Sequence, residues 1–154
     1  MVIRDCMKSK VFSIPATASI LDAATVFVER HVGILPVVDE NGKPVGVIRM
    51  GDLLTLELPD FVHLVQDLDF VHDFGAVETT RPNRRLLLQP VTTLMKPIQA
   101  IEETSGLLRA YARMLQDNLY DLPVVDASGK LVGIVSRVDI GAAVLSLWSA
   151  KEKK

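Results

Sequence analysis

Leu35-Pro36-Val37-Val38-Asp39 runs on through Gly42-Lys43 and Val45-Gly46 to Asp52, and Leu122-Pro123-Val124-Val125-Asp126 runs on through Gly129-Lys130 and Val132-Gly133 to Asp139. Residue 122 lies as far beyond residue 35 as residue 139 lies beyond residue 52, 87 positions in each case, so the two blocks align without a gap. A repeat this regular means one supersecondary unit used twice, with neither copy able to cover its apolar face alone. The pair is the unit that folds and functions.

Around each block the periods are readable. The β-branched runs Val37-Val38 and Val124-Val125 each meet a turn, Asn41-Gly42 or Ser128-Gly129, and a second apolar run, Val45 to Ile48 or Val132 to Val135, which is the pattern of a hairpin. Upstream, Ser19 with Asp22 three residues on forms a capping signal, and Ile20, Ala24, Phe27 and Val28 follow as a helical stripe. Leu108, Tyr111, Ala112 and Leu115 are its expected counterpart in the second copy. Downstream, a second helix is expected to be short in the first copy, where Pro59 stops it, and to run from about Val138 to Ala150 in the second. With short extended segments at Val11-Phe12 and Gln99-Ala100-Ile101, each copy reads β-α-β-β-α.

The 154 residues, 49% hydrophobic and 23% charged, suffice for one compact core, and an aromatic content of 5% predicts that it is aliphatic. A formal net charge of −2 with scattered Lys and Arg gives no electrostatic footprint for nucleic acid, so any anion site must be local. Cys6 is the one cysteine, so no internal disulfide forms, in keeping with a reducing compartment. The first residues lack a basic-then-apolar leader pattern, and no uncharged apolar run is long enough to cross a bilayer. The expectation is a cytoplasmic protein without a membrane partner.

The element order and the residues quoted resemble the CBS domain, and the tandem resembles a Bateman module. The reading is an α+β fold: CBS repeat 1 over residues 1–58, a partly helical connection over 59–90, CBS repeat 2 over 91–150 and a charged tail over 151–154. The resemblance implies two repeats packed about a pseudo-two-fold axis with two clefts between them. It also implies a regulatory ligand containing adenosine (AMP, ADP, ATP or S-adenosylmethionine) and no other cofactor, pairing of modules into a homodimer, and an effector protein through which the module signals.

The most specific match is Gly133-Ile134-Val135-Ser136-Arg137-Val138-Asp139. At a helix start, unpaired N–H groups and the dipole favour a phosphate, an ionised Asp139 can accept two bonds from a ribose diol, and Ser136 and Arg137 can serve the phosphate. Ser136-x-x-Asp139 reads equally as a capping box with no ligand at all. In the first copy, Gly46-Val47-Ile48-Arg49-Met50-Gly51-Asp52 places Arg49 where the pattern has Ser or Thr. Arg49 cannot accept a hydrogen bond, though it can grip a phosphate, so the Asp52 site is either lost or adapted to a more anionic ligand. For the site led by Asp139, the resemblance places the adenine pocket on Met7 to Phe12, on Val32, Gly33 and Ile34, and on Tyr120 and Asp121, with Val11 and Ile34 suited to an adenine face. Lys8 and Lys96 each follow a Met where the family often has Thr, adding positive charge.

In the connection, Phe61, Leu64, Val65, Leu68 and Val71 keep helical spacing, which predicts an amphipathic helix. His63, Asp67, Asp69, His72 and Asp73 are metal-ligand types, but at 100° per residue His63 and His72 project to opposite sides of one helix, so no metal site is assigned. Thr79 to Arg85 reads as a polar loop with a basic cluster. No nucleophile–base pairing, Walker-type glycine loop or close cysteine set is present, so the expectation is not an enzyme. Two other readings remain: a structural dimerisation module with empty, degenerate sites, and a metal-dependent enzyme built on the His/Asp-rich connection.

Overall fold

The structure, a computed structural model, describes residues 1–56 and 82–152, with side chains through residue 150. The apolar stripe Phe61 to Val71, the His/Asp group and Thr79 to Arg81 lie outside the described residues.

The two hairpins form as the repeated block dictates: β2 (Ile34–Val38) with β3 (Pro44–Arg49), and β5 (Asp121–Val125) with β6 (Leu131–Ser136), all antiparallel. The aspartate closing each Pro-Val-Val-Asp block ties its turn. Asp39 Oδ1 accepts from the N–H groups of Asn41 and Lys43 at 2.9 and 3.0 Å, and Asp126 Oδ1 from those of Ser128 and Lys130 at the same distances. Gly42 and Gly129 follow at φ 78° and 85°, where a side chain would be strained. A two-residue strand joins each hairpin in parallel, β1 (Ile14–Pro15) on β2 and β4 (Ile101–Glu102) on β5, giving two three-stranded sheets. The first strand therefore forms three residues later than the expected Val11-Phe12, because Ile14 finds the partner Val37 in register.

α1 (Ile20–Arg30) opens on the predicted box: Ser19 Oγ accepts from Asp22 N at 3.1 Å and Asp22 Oδ2 accepts from Ser19 N at 2.9 Å. It buries Ile20, Ala23 and Phe27, while Val28, expected in the stripe, faces solvent. The counterpart, α4 (Leu107–Gln116), begins at Gly106 without a side-chain cap and buries Leu107, Ala110 and Met114. The expected stripe of Leu108, Tyr111, Ala112 and Leu115 is thus displaced by one position. Apolar residues occupy two adjacent faces of this helix, and periodicity alone does not say which one meets the sheet. α2 (Met50–Leu54) closes before Pro59 is reached, with Thr55 Oγ1 donating to Asp52 O at 2.9 Å. Asn83 caps α3 (Arg84–Leu87) through Oδ1 and Leu86 N at 2.9 Å, so Asn83 to Arg85 starts a helix and is not a plain loop. α5 (Arg137–Glu152) is the long C-terminal helix.

Each repeat completes its core with the opening turn of the other. Ile3, fully buried, packs with Ile101, Leu107, Ala110, Met114, Leu122, Val124, Val135 and Ile140 of the second copy. Val91, also fully buried, packs with Ile14, Ala23, Phe27, Leu35, Val37 and Ile48 of the first. The chain then ladders across. Lys8 and Ile134 exchange backbone bonds of 2.9 and 3.0 Å, and Lys96 and Val47 exchange bonds of 2.8 and 3.0 Å. The two motif glycines permit this approach, since a Cβ on Gly133 would lie 2.8 Å from Lys8 O and one on Gly46 would lie 3.0 Å from Lys96 O. The clefts open beside these crossings.

Candidate functional site

Because residues 7–8 are pinned to β6, the next residues, Lys10 to Phe12, lie against the turn after α1. Lys8, Lys10, Val11, Phe12, His31, Val32, Gly33, Ile34, Asp121 and Ile134 enclose a cavity of about 360 Å³. Six residues expected in one site are thus brought together from both copies: Lys8, Val11, Gly33 and Ile34 from the first, Asp121 and Ile134 from the second. Val11, Phe12, Val32, Ile34 and Ile134 make the wall apolar. Lys10 Nζ and Arg30 Cζ lie 5.7 and 4.9 Å from the Phe12 ring centroid, adding cations at its rim.

Ser136 and Asp139 stand beside this cavity at the start of α5 and cap it. Ser136 Oγ accepts from Asp139 N at 3.1 Å, and Asp139 Oδ2 accepts from Ser136 N at 2.8 Å. The second carboxylate oxygen, Oδ1, lies 3.8 Å from Lys8 Nζ, with the Asp139 side chain 16% exposed. One carboxylate oxygen thus closes the helix cap and the other faces the Lys8 ammonium. Burial raises the Asp121 carboxyl above its ordinary range, against the pull of Arg49 and Lys8, while Asp139 pushes it the same way as burial.

Arg137 and Tyr120 are placed differently from expectation. Arg137 Nε donates to Leu119 O at 2.6 Å and Nη2 to Met114 O at 3.0 Å, so the guanidinium is held by carbonyls in and just beyond α4 and is not among the residues lining the cavity. The Tyr120 ring stacks on it, 4.4 Å from centroid to Cζ, and is 65% exposed. His31, by contrast, was not legible as a site residue. It ends α1 in a left-handed conformation, φ 51°, and only the fold puts it on the cavity wall.

The cleft of the other copy, about 270 Å³, is lined by Val47, Arg49, Pro97, Ile98, Gln99, Asp117 and Leu119. Asp52 Oδ2 accepts from Arg49 N at 2.8 Å, but no hydroxyl answers the Asp52 N–H, since Arg49 stands where Ser136 does in the second copy. Lys96 contributes its backbone to the crossing ladder and exposes its side chain. Among the described residues no group of three His, Cys, Asp or Glu is placed to hold a metal, and no helix is long and apolar enough to cross a membrane.

Two sheets related by a repeat, each core closed by the other's opening turn, with a cleft beside each crossing, define a tandem-repeat module of the α+β class. The sequence model of the CBS domain matches residues 3–58 and 91–146, and the chain belongs to that family. It is 30% identical over 145 residues to the CBS domain-containing protein CBSX1, chloroplastic, and 34% identical over 143 residues to CBSX2, chloroplastic, both from Arabidopsis thaliana. Those alignments cover 91% and 86% of this chain but 61% and 58% of the relatives. Among solved structures, CBSX2 in complex with AMP superimposes with a TM-score of 0.69 at 29% identity, covering 95% of this chain and 97% of that one.

Proposed function

We propose that this chain is a regulatory module that binds an adenine nucleotide in the cleft beside Asp139. The observation that carries the reading is the composition of that cleft: an apolar slot between Val11, Ile34 and Ile134, of a size for a base, next to a carboxylate whose second oxygen has no hydrogen-bond donor among the described residues and faces the Lys8 ammonium at 3.8 Å. The AMP complex of CBSX2 supports it. Asp139 Oδ1 is assigned to the ribose hydroxyls, Ser136 and Lys8 to the phosphate, and Val11, Ile34 and Ile134 to the base. The nucleotide is a regulatory ligand and the module is not an enzyme.

A binding module of this kind acts by favouring one of two arrangements of a dimer or of an effector protein. Support for a homodimer comes from the outer helices, where Leu145, Leu147 and Trp148 of α5 are exposed, Trp148 by 64%. A reducing compartment, the cytoplasm in the simplest case, suits the unpaired Cys6. A thermal-shift panel of AMP, ADP, ATP, S-adenosylmethionine and NADH tests the reading, because binding to the folded state alone raises the melting temperature. Stabilisation by at least one adenosine ligand, lost in Asp139→Asn, is expected. No shift with any of them leaves the dimerisation module with empty sites ahead.

A further inference from the structure

Ile34 and Asp121 hold the same register position in the two copies, Ile34 pairing with Arg49 and Asp121 with Ser136, and both line the cavity beside Asp139. One copy thus presents an aliphatic side chain to the cavity and the other a carboxylate. Asp121 is half-buried, and charged groups of three other segments act on it: Arg49 at the end of β3, Lys8 in the opening segment and Asp139 in the first turn of α5. Lys10 and His31 are the other ionisable residues of the wall, and Lys10 Nζ lies over the Phe12 ring, 5.7 Å from its centroid. Among the described residues no cation comes within 4.0 Å of the Asp121 carboxylate. Lys8 is therefore the cation that both carboxylates share: its Nζ is 3.8 Å from Asp139 Oδ1, and it attracts Asp121 as well. A phosphate entering the cleft meets two negative charges with Lys8 already opposed to both. Each further phosphate adds to that repulsion, which a partly desolvated wall screens less than water does. A neutral or cationic group in the same place meets no such repulsion.

We propose that Asp121 is the specificity-determining residue of the Asp139 cleft and sets it for adenosine ligands of low negative charge: adenosine, AMP and the sulfonium S-adenosylmethionine ahead of ADP and ATP. This ranking rests on the nucleotide reading above and adds to it the charge that the ligand carries. Lys8 answers a single phosphate, and Asp121 keeps the cleft from welcoming a second and a third.

Calorimetric titration of the full chain slightly above neutral pH with adenosine, AMP, ATP and S-adenosylmethionine tests it, in the wild type, Asp121→Asn and Asp121→Glu. Asp121→Asn is expected to tighten ATP by roughly tenfold or more and AMP by less, to leave adenosine within about twofold and to weaken S-adenosylmethionine. Asp121→Glu keeps the charge and is expected to keep the wild-type order. Affinities for all four ligands that shift by one common factor in Asp121→Asn, or do not shift, overturn the proposal, since a structural role moves them together and an idle carboxylate moves none. A wild type that binds ATP more tightly than AMP overturns it as well. Failure of the two readings is distinguishable. Binding with unaltered selectivity refutes the role of Asp121 alone, whereas no heat of binding from any of the four ligands, in the wild type or either variant, refutes the nucleotide reading and the ranking with it.

Discussion

Replacing Gly133 by Ala is expected to destabilise the pair out of proportion to the single methyl added. The new Cβ would lie 2.8 Å from Lys8 O and 2.8 Å from Met7 Sδ, distances that real Cβ atoms do not reach, so residues 7–8 must withdraw from β6. Withdrawal breaks the two backbone bonds of 2.9 and 3.0 Å between Lys8 and Ile134, each contributing about 0.5–1.5 kcal/mol net. It also loosens the turn that delivers Ile3 to the second core. The sum is roughly 2–4 kcal/mol, a large part of the roughly 5–15 kcal/mol that holds a domain folded. At this chain length that is a fall of roughly 5–15 °C in melting temperature. Gly141→Ala is the control: it lies within α5 with nothing within 4 Å of a Cβ, and removing a helical glycine should add roughly 1 kcal/mol. Thermal and urea unfolding followed by circular dichroism measures both. A Gly133→Ala variant that melts within a degree or two of wild type would refute the assignment of the motif glycine to the crossing.

Three further outcomes are expected. Arg137→Ala leaves Leu119 O without its donor and Met114 O with the Leu119 N–H alone, and should cost roughly 1–3 kcal/mol of stability while changing AMP affinity less than twofold; a selective loss of AMP binding with unchanged stability would return Arg137 to the ligand. Asp139→Asn keeps an oxygen for the Ser136 N–H but loses the charge, and should weaken AMP by roughly ten- to a hundredfold in a calorimetric titration. For Asp121, burial raises the folded carboxyl above its unfolded value, so its ionisation costs stability once pH rises through that raised value, and the cost is absent below the ordinary carboxylate range. Asp121→Asn should therefore stabilise the protein at pH 7 and have no such effect at pH 3, and a loss of stability at pH 7 would show that its attraction to Arg49 and Lys8 outweighs burial.

What the sequence determined by itself is local. The hairpins, their Asp-tied turns, the Ser19–Asp22 box and the boundaries of α5 each follow from residues a few positions apart, whose interactions form within one element whatever surrounds them. The doubled block also required that two such units meet, because one hairpin and one helix cannot bury their apolar faces alone. Six of the residues that the family resemblance grouped, Lys8, Val11, Gly33, Ile34, Asp121 and Ile134, line one cavity.

The tertiary structure decided everything that depends on which long-range partner is available. It put Ile3 into the second core and Val91 into the first, an exchange that no periodicity encodes because each residue's own repeat offers an equally apolar surface. It chose the Leu107, Ala110, Met114 face of α4 over the neighbouring apolar one, since the sheet contacts only one face. It turned Arg137 onto the carbonyls of Met114 in α4 and Leu119 just beyond it, brought His31 to the cleft and left one nitrogen of Arg49, Nη2, buried without a partner among the described residues. A charged side chain's role is set by the acceptors nearest to it in space, and for Arg137 those lie 18 and 23 residues away along the chain.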